Sequence, residues 1–482
     1  MDIRVVLFFL SRLSFAMVAA FIMPFVLALY MGEDTAAGAF LGSMICSLTS
    51  WIVLGRFSRR DFGQMTRREG ITVTGLGWLL VTGLGMLPFV FGRYTGLLDG
   101  IFESISGFTG TGGTIFTSLS QLPQSVLLWR SMTNWIGGLG IIVIFIALLP
   151  STGPSALYMY AAEGAWPGNR ILPKLRDMAM VLFRLYLVLT LTAMWIYMLC
   201  GMDVLTALNH AFSTLGTGGF STFDDSVGHF YNAEIEGWIG LFMVIGGGNF
   251  ALYYRAYRKG PGTLLHDTEF RVYVLMLVVA CMLIAADLVV ERGMGVTTAL
   301  RYGSFQVASL SNTGFVSTDY DTWPSFAKGI LLLLMLPGGC AGSTASGIKV
   351  ARFVMLYQLV RTQLAERLQP HRVMAVVVKG TEVSRKALTR VGQFFFLYMM
   401  CIVIESLALT ALGIPVFDAV GLSATTVGNV GPAFGIVGAT QTYALLSSSV
   451  KAVLCVAMLL GRLEIFTLLV MLRPSFWRQA KW

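Results

Sequence analysis

Charge is scarce in this sequence: 12% of its 482 residues are Asp, Glu, Lys or Arg, while 56% are hydrophobic. A soluble domain carries about 25% charged residues, so a water-facing surface cannot cover this much apolar side chain. Histidine is nearly missing. His210, His229, His266 and His371 are scattered and unpaired, which argues against a zinc or iron site. The six cysteines, Cys46, Cys200, Cys281, Cys340, Cys401 and Cys455, show no CxxC or CxxxC spacing and lie almost all in apolar segments. They read as small core residues rather than disulfide or metal partners. No convergent nucleophile, base or metal cluster is visible, so no enzyme and no bound cofactor are expected. The net charge of +9 would suggest nucleic acid in a soluble protein. In an apolar chain it reflects the cytoplasmic bias of Lys and Arg, and no nucleic-acid partner is expected. The reading left is an all-α polytopic membrane protein surrounded by lipid.

A spanning helix needs roughly 20 apolar residues. Candidates fall at 5–30, 36–54, 71–91, 126–149, 178–200, 236–256, 271–290, 325–360 (interrupted), 391–413 and 449–471. The first is too long for the apolar core of a signal peptide and reads as a retained anchor. Basic residues cluster at 55–70 (Arg56, Arg59, Arg60, Arg67, Arg68), 255–271 (Arg255, Arg258, Lys259, Arg271) and 361–390 (Arg361, Arg367, Arg372, Lys379, Arg385, Lys386, Arg390). Segment 201–236 has no basic residue but holds Asp203, Asp224, Asp225, Glu234 and Glu236. This alternation places both termini in the cytoplasm with ten spans. Trp129, Trp238 and Trp323 begin outer ends of spans and read as interfacial anchors.

Four semi-apolar segments, near 97–110, 203–216, 297–312 and 416–429, are too short to cross. Each leads into a glycine-containing signature: Thr109-Gly110-Thr111-Gly112-Gly113, Leu215-Gly216-Thr217-Gly218-Gly219-Phe220, Ser311-Asn312-Thr313-Gly314-Phe315 and Gly428-Asn429-Val430-Gly431-Pro432. Gly112, Gly218, Gly314 and Gly431 are separated by 106, 96 and 117 residues, a repeat period that demands an explanation. Every unit is span, half-helix, turn, span, and all four run in the same direction. Parallel units surround an axis normal to the membrane, with the partially negative ends of the half-helices directed at it. Carbonyls of a glycine-bearing turn then replace a cation's hydration shell, and the side chains stay small and uncharged. The expected architecture is a two-helix extension at 1–70 followed by four helix–pore-helix–helix repeats around a pseudo-fourfold pore, at 71–177, 178–269, 270–390 and 391–482. The candidate cation ligands are Gly110, Thr111, Gly112, Gly216, Thr217, Gly218, Asn312, Thr313, Gly314, Asn429, Val430 and Gly431.

These signatures, together with Asn134–Gly140 (Asn-Trp-Ile-Gly-Gly-Leu-Gly), Pro337–Lys349 and Gly461–Phe466 (Gly-Arg-Leu-Glu-Ile-Phe), resemble the TrkH/KtrB/HKT superfamily of potassium transporters. The extra helix pair before the first repeat is similar to the TrkH branch. The resemblance covers nearly the whole chain and implies bacterial inner-membrane potassium uptake. A filter glycine in all four repeats goes with potassium preference, and Gly112 meets that pattern. Gly110 stands where a hydroxyl residue is common, which suggests a looser first strand. Val430 also occurs in the family's fourth repeat. The resemblance further implies a homodimer and a cytoplasmic NAD- or ATP-binding ring partner of the TrkA type. This chain carries no nucleotide fingerprint in a strand–helix context.

The candidate at 325–360 would be about 50 Å long as one helix. Its middle, 337–347, is too rich in glycine and small polar residues to be helical. It reads as a loop within the membrane, and the resemblance makes it a gating loop, with Gly338, Gly339, Gly342, Ser343, Thr344, Ser346, Gly347 and the following Lys349 as gate residues. Arg462 sits inside the last apolar run, about 16 Å of helix from its basic end, too far to snorkel. Such an arginine faces water or a partner, and the resemblance makes it an electrostatic barrier below the filter. Glu464, two positions on, faces elsewhere and needs a partner on another helix. Lys349 and Arg352 read as interface anchors, or as cations that neutralise loop carbonyls or contact a regulatory subunit. Gly246-Gly247-Gly248 reads as a close-packing site or a hinge. The rival function is a sodium- or proton-coupled secondary transporter of another ion or small solute, which favours inverted repeats and midplane acids. Here the repeats are parallel, and Asp287 and Glu405 are the few acids in or near spans. Channel-like and coupled transport are both open at this point.

Overall fold

A computed structural model describes residues 1–58, 66–138, 140, 175–369, 376–378 and 381–477. The chain opens with an antiparallel pair, α1 (Ile3–Met31) and α2 (Asp34–Arg56), turned at Gly32 in the left-handed region (φ 70). The first repeat holds α3 (Arg67–Gly85), which runs on through α4 (Leu87–Phe91), then the half-helix α5 (Leu97–Thr109) and α6 (Gln124–Gly138). The second is α7 (Leu175–Leu199), half-helix α8 (Val204–Leu215), α9 (Ala233–Gly246) and α10 (Phe250–Lys259). The third is α11 (Thr268–Arg292), half-helix α12 (Val296–Asn312), α13 (Ser325–Leu334) and α14 (Val350–Leu368). The fourth is α15 (Arg385–Ala411), half-helix α16 (Val416–Gly428), α17 (Ser448–Arg462) and α18 (Phe466–Met471). The one sheet among the described residues is a minimal antiparallel pair, Val377–Val378 with Thr381–Glu382.

Capping explains many of the starts. Thr66 and Glu69 form a reciprocal capping box on α3, and Asp203, Asn249, Asp267, Ser384 and Ser447 each accept an amide from the first turn of α8, α10, α11, α15 and α17. Each such cap satisfies a donor that the helix cannot pair internally.

All four half-helices form where the sequence places them. Six helices among the described residues are long and apolar enough to cross a membrane, or seven if α9 and α10 count as one span. The expectation of continuous spans at 236–256 and 449–471 is corrected. The first bends by 94° between α9 and α10, because Gly246-Gly247-Gly248 holds a helix poorly and Asn249 caps a new one. The second breaks at Glu464 and Ile465, both left-handed (φ 51 and 37). The candidate at 325–360 is interrupted as expected, between Leu334 and Val350. That at 126–149 is described only as far as α6 and Gly140, and Arg59, Arg60, Arg372 and Lys379 also lie outside the described residues.

Trp129 is a second correction. It is fully buried rather than interfacial, donates to the Gly85 carbonyl at 3.0 Å and packs 4.6 Å from Phe21. It therefore anchors α6 to both the N-terminal pair and α3. Trp323 is buried as well, and of the three only Trp238 is exposed.

Candidate functional site

Two or three residues before its end, each half-helix carries a hydroxyl residue that straps down the strand after it. The Ser106 carbonyl accepts the Thr111 amide at 2.9 Å, Ser213 accepts that of Gly218 at 2.9 Å, Ser309 accepts that of Gly314 at 3.0 Å, and Thr425 accepts that of Val430 at 2.9 Å. The side chains reach further along the same strands. Ser106 donates to the Gly113 carbonyl at 2.6 Å, Ser309 to that of Phe315 and Thr425 to that of Pro432 at 3.1 Å. Helix ends leave carbonyls without partners, and here the signatures supply the missing donors.

The four signatures meet backbone to backbone. Gly112, Gly314 and Gly431 have φ of 76, 95 and 111, which only glycine adopts without strain. A side chain on Gly112 would strike the Gly218 carbonyl, one on Gly219 the Thr313 carbonyl, one on Gly314 the Val430 carbonyl, and one on Gly431 the Thr111 carbonyl. The order runs first, second, third, fourth and back to first, so the strands close a ring around one axis. The second repeat differs in detail. Thr217 and Gly219 carry its positive φ (50 and 71), whereas the amide of Asn134 occupies the side-chain space of Gly218.

Hydrogen bonds tie the ring internally. Asn429 donates to the Thr111 hydroxyl at 2.9 Å and so links the fourth strand to the first, and Thr111 also shares a hydrogen with Thr109 at 2.8 Å. The first strand is therefore tied on both sides, and Gly110 (φ 73) is the residue that lets α5 turn into it. Thr217 donates to Gly216 at 2.8 Å and Thr313 to Asn312 at 2.5 Å, while the Asn312 amide reaches Tyr273 at 3.1 Å.

Behind the first two strands lies a fully buried ion pair that the sequence reading missed. Arg130 donates to Glu103 at 2.7 Å, to the Ser221 carbonyl at 3.1 Å and to the Thr114 hydroxyl at 3.0 Å, with Phe220 under its guanidinium at 4.3 Å. Glu103 also accepts the Ile115 amide at 3.0 Å. A buried charge survives only when paired and hydrogen-bonded, and this pair spends its hydrogen bonds on the segments leaving strands one and two. Further pairs join adjacent repeats: Arg301 of α12 with Glu236 of α9, and Lys451 of α17 with Asp99 of α5, each at 2.7 Å. Of the acidic residues in 201–236, Asp203 caps α8 at 3.0 Å, Asp224 accepts the Leu119 amide at 2.7 Å and Glu236 holds Arg301, so they have structural partners.

Below the ring, residues 335–349 form a non-helical loop with left-handed Gly338, Gly342 and Gly347 (φ 63, 79 and 84). The loop is stapled to the α9–α10 bend. Cys340 donates to the Gly247 carbonyl at 2.7 Å, Thr344 to that of Gly246 at 3.1 Å, and Phe250 to that of Gly342 at 3.2 Å. The triple glycine is thus both a bend and a docking ledge, which sequence alone left open. A side chain on Gly339 would collide with it. The loop also folds on itself, with Gly338 against Gly347, and Ala341 donates to Glu269 at 2.5 Å. Lys349 (φ 76) turns back to donate to the Ala345 carbonyl and approaches Ser343 at 3.5 Å. Its ammonium thus faces a loop carbonyl and a loop hydroxyl.

Arg462 joins three repeats. It donates to the Thr344 carbonyl at 2.9 Å, the Ser346 hydroxyl at 3.0 Å, the Gly138 carbonyl at 3.1 Å and the Gly137 carbonyl. Glu464 finds its partner on another helix as expected. Arg352 of α14 reaches it at 2.5 Å while lying 3.8 Å over the Phe394 ring.

A single chain that brings four half-helices and four backbone turns to one axis, over a stapled loop, is a four-repeat integral membrane protein of the kind that carries small solutes along a central path. Comparison with known proteins specifies the class. A family model described as TrkH, cation transport protein, matches residues 39–479. The chain is 34% identical over 468 residues to the Trk system potassium uptake protein TrkH of Salmonella typhimurium, covering 95% of this chain and 96% of that protein. It is 32% identical over 422 residues to the Trk system potassium uptake protein TrkG of Escherichia coli K12, covering 86% of each. The crystal structure of the potassium transporter TrkH from Vibrio parahaemolyticus superposes with a TM-score of 0.90 at 31% identity, covering 99% of this chain and all of that one. The chain belongs to the TrkH family of cation transport proteins, which is not a family of enzymes.

Sequence reasoning passed over the strapping hydroxyls. Their signal was present: Ser106, Ser213, Ser309 and Thr425 stand five or six residues before the aligned glycines in all four repeats. Glu103 and Arg130 had no such signal, because 27 residues separate them and only the packing of α5 on α6 joins them.

Proposed function

We propose that this chain takes up potassium across the bacterial cytoplasmic membrane, as the names of its relatives suggest for those proteins. The observation that carries the reading is the closed cycle of glycine contacts among Gly112, Gly218–Gly219, Gly314 and Gly431. Potassium sheds its water and is held by backbone oxygens of residues 110–112, 216–218, 312–314 and 429–431, whose side chains carry no charge. The ion then meets the loop 337–347 and Arg462, whose positive charge opposes a cation on the axis. Opening requires the loop to leave Arg462 or Arg462 to leave the loop. The division into an extension at 1–70 and repeats at 71–177, 178–269, 270–390 and 391–482 belongs to the same proposal, as do cytoplasmic termini, a homodimer and a TrkA-type ring partner receiving the inner basic segments.

The test is potassium uptake in a bacterial strain lacking its own uptake systems, with the regulatory partner supplied. Rescue by the wild type and weakened selectivity in Gly314→Ser support the reading. A wild type that reaches the membrane but moves no potassium, together with an unaffected Gly314→Ser, overturns it in favour of a coupled carrier of another solute.

A further inference from the structure

A cavity of about 470 Å³ opens between α9 of the second repeat and the half-helix α12 of the third, a volume in the range of small-molecule sites, ~300–1,000 Å³. One face of α9 lines it with Glu236, Gly237, Gly240 and Val244, and α12 supplies Arg301, Ser304, Phe305 and Ala308. With the cytoplasmic termini proposed above, both helices run inward from the outer side, so the charged residues Glu236 and Arg301 stand toward the outer end, Ser304 and Phe305 lie between, and Val244 and Ala308 stand toward the inner end. That gradient, charged outside and apolar with depth, is the gradient of one membrane leaflet.

Two details show that the groove is open to an occupant. A side chain on Gly237 or Gly240 would meet nothing within 4 Å, in contrast to the crowded glycines of the ring. Arg301 places its Nε and Nη2 on the two oxygens of Glu236, both at 2.7 Å, which leaves Nη1 without a hydrogen-bond partner among the described residues. The guanidinium is one-third exposed at the groove's mouth. A guanidinium with one edge engaged still presents donors suited to a phosphate.

We propose that this groove binds one outer-leaflet phospholipid, its phosphodiester on Nη1 of Arg301 and one acyl chain lying along Gly237, Gly240 and Val244 against Phe305 and Ala308. The lipid wedges α9 against α12, whose C-terminal end carries Thr313 and Gly314. The site rests on the membrane setting and not on which ion is carried.

The experiment is native mass spectrometry of the full-length protein extracted in mild detergent from vesicles of phosphatidylglycerol and phosphatidylethanolamine. The wild type should retain one phospholipid per chain. Gly240→Leu fills the groove from α9, and Ser304→Leu fills it from α12 without touching the Arg301–Glu236 pair. Each should lower retention roughly tenfold, and Arg301→Lys, which keeps the pair but loses Nη1, should lower it less. Because Gly240→Leu and Ser304→Leu act from opposite walls, misfolding of one leaves the other as the test. Unchanged retention in a folded filling variant overturns the proposal. So does conversion of dimer to monomer in those variants without lipid loss, which would make a second copy of the chain the occupant.

Discussion

The guanidinium of Arg462 donates to the carbonyl of Thr344 at 2.9 Å, across 118 residues of sequence. That bond joins the broken second span of the fourth repeat to the loop of the third, and the same side chain reaches Gly137 and Gly138 of the first. A central arginine in a membrane helix costs roughly 2.5–3.5 kcal/mol to insert. The hydrogen bonds to carbonyls that no helix uses offset that cost, so loop and arginine hold each other in place.

Under the proposed gate, replacing Arg462 with Ala should release the loop and raise potassium flux severalfold, since it removes the hydrogen bonds to the loop and the charge that the proposal makes a barrier. Arg462→Lys keeps the charge but lacks the guanidinium fork, and should give an intermediate flux. Rubidium uptake into proteoliposomes measures this. Equal flux in wild type and Arg462→Ala would remove the arginine from the gate.

Gly314→Ser should impair the ring. A residue with a Cβ pays about 1–2 kcal/mol in the left-handed region, and the new Cβ meets the Val430 carbonyl and the Pro432 ring. Potassium preference over sodium should fall roughly tenfold, in line with that energy. Competition of sodium with potassium uptake reports it.

Breaking the buried pair behind the ring should cost more stability than any surface charge. Glu103→Gln or Arg130→Met leaves one uncompensated buried charge, which typically costs about 3–5 kcal/mol. Thermal unfolding in detergent should shift strongly downward for each single variant. The double variant should be less harmed than the two losses added together, because it strands no charge.

Arg352 and Glu464 should be coupled in gating. Their side chains are 13% and 21% exposed, and removal of either frees the left-handed turn at Glu464–Ile465 that ends α17. A double-mutant cycle with alanine, read as flux, should show that the second substitution adds little to the first. Fully additive effects would make the pair incidental.

Asp203 should make part of the stability acid-sensitive. Burial alone raises its carboxyl pKa, but hydrogen bonds from the Thr206 hydroxyl and amide outweigh it and hold the value below the ordinary 3.8. A depressed folded value means that this contribution is complete above the unfolded pKa and is lost as pH falls through the folded one. The melting difference between wild type and Asp203→Asn should be present at pH 7 and shrink below about pH 4. A difference independent of pH would mean that the carboxylate charge plays no part in the cap.

The repeat pattern, the half-helices and the loop at 337–347 were legible because they rest on local chemistry: apolar length, glycine content and the position of charge. Charge alternation likewise marked the segments between spans. The breaks at Gly246–Gly248 and Glu464–Ile465 were not legible. A glycine run can pack or bend, and the left-handed turn at Glu464 accompanies a partner on α14. Trp129 looked interfacial because only its place at the start of an apolar run was known. Its burial depends on α1 and α2 folding across α6.

What the sequence determined by itself was the inventory: four turns able to bend backbone toward an axis, a loop unable to be a helix, and an arginine too deep to snorkel. The cyclic order of the four turns, the Glu103–Arg130 brace and the three-repeat grip of Arg462 were decided by tertiary structure alone. Periodicity and propensity act over a few residues, whereas these contacts join positions from 27 to more than 300 residues apart. Such pairings are set only when every helix has found its neighbours.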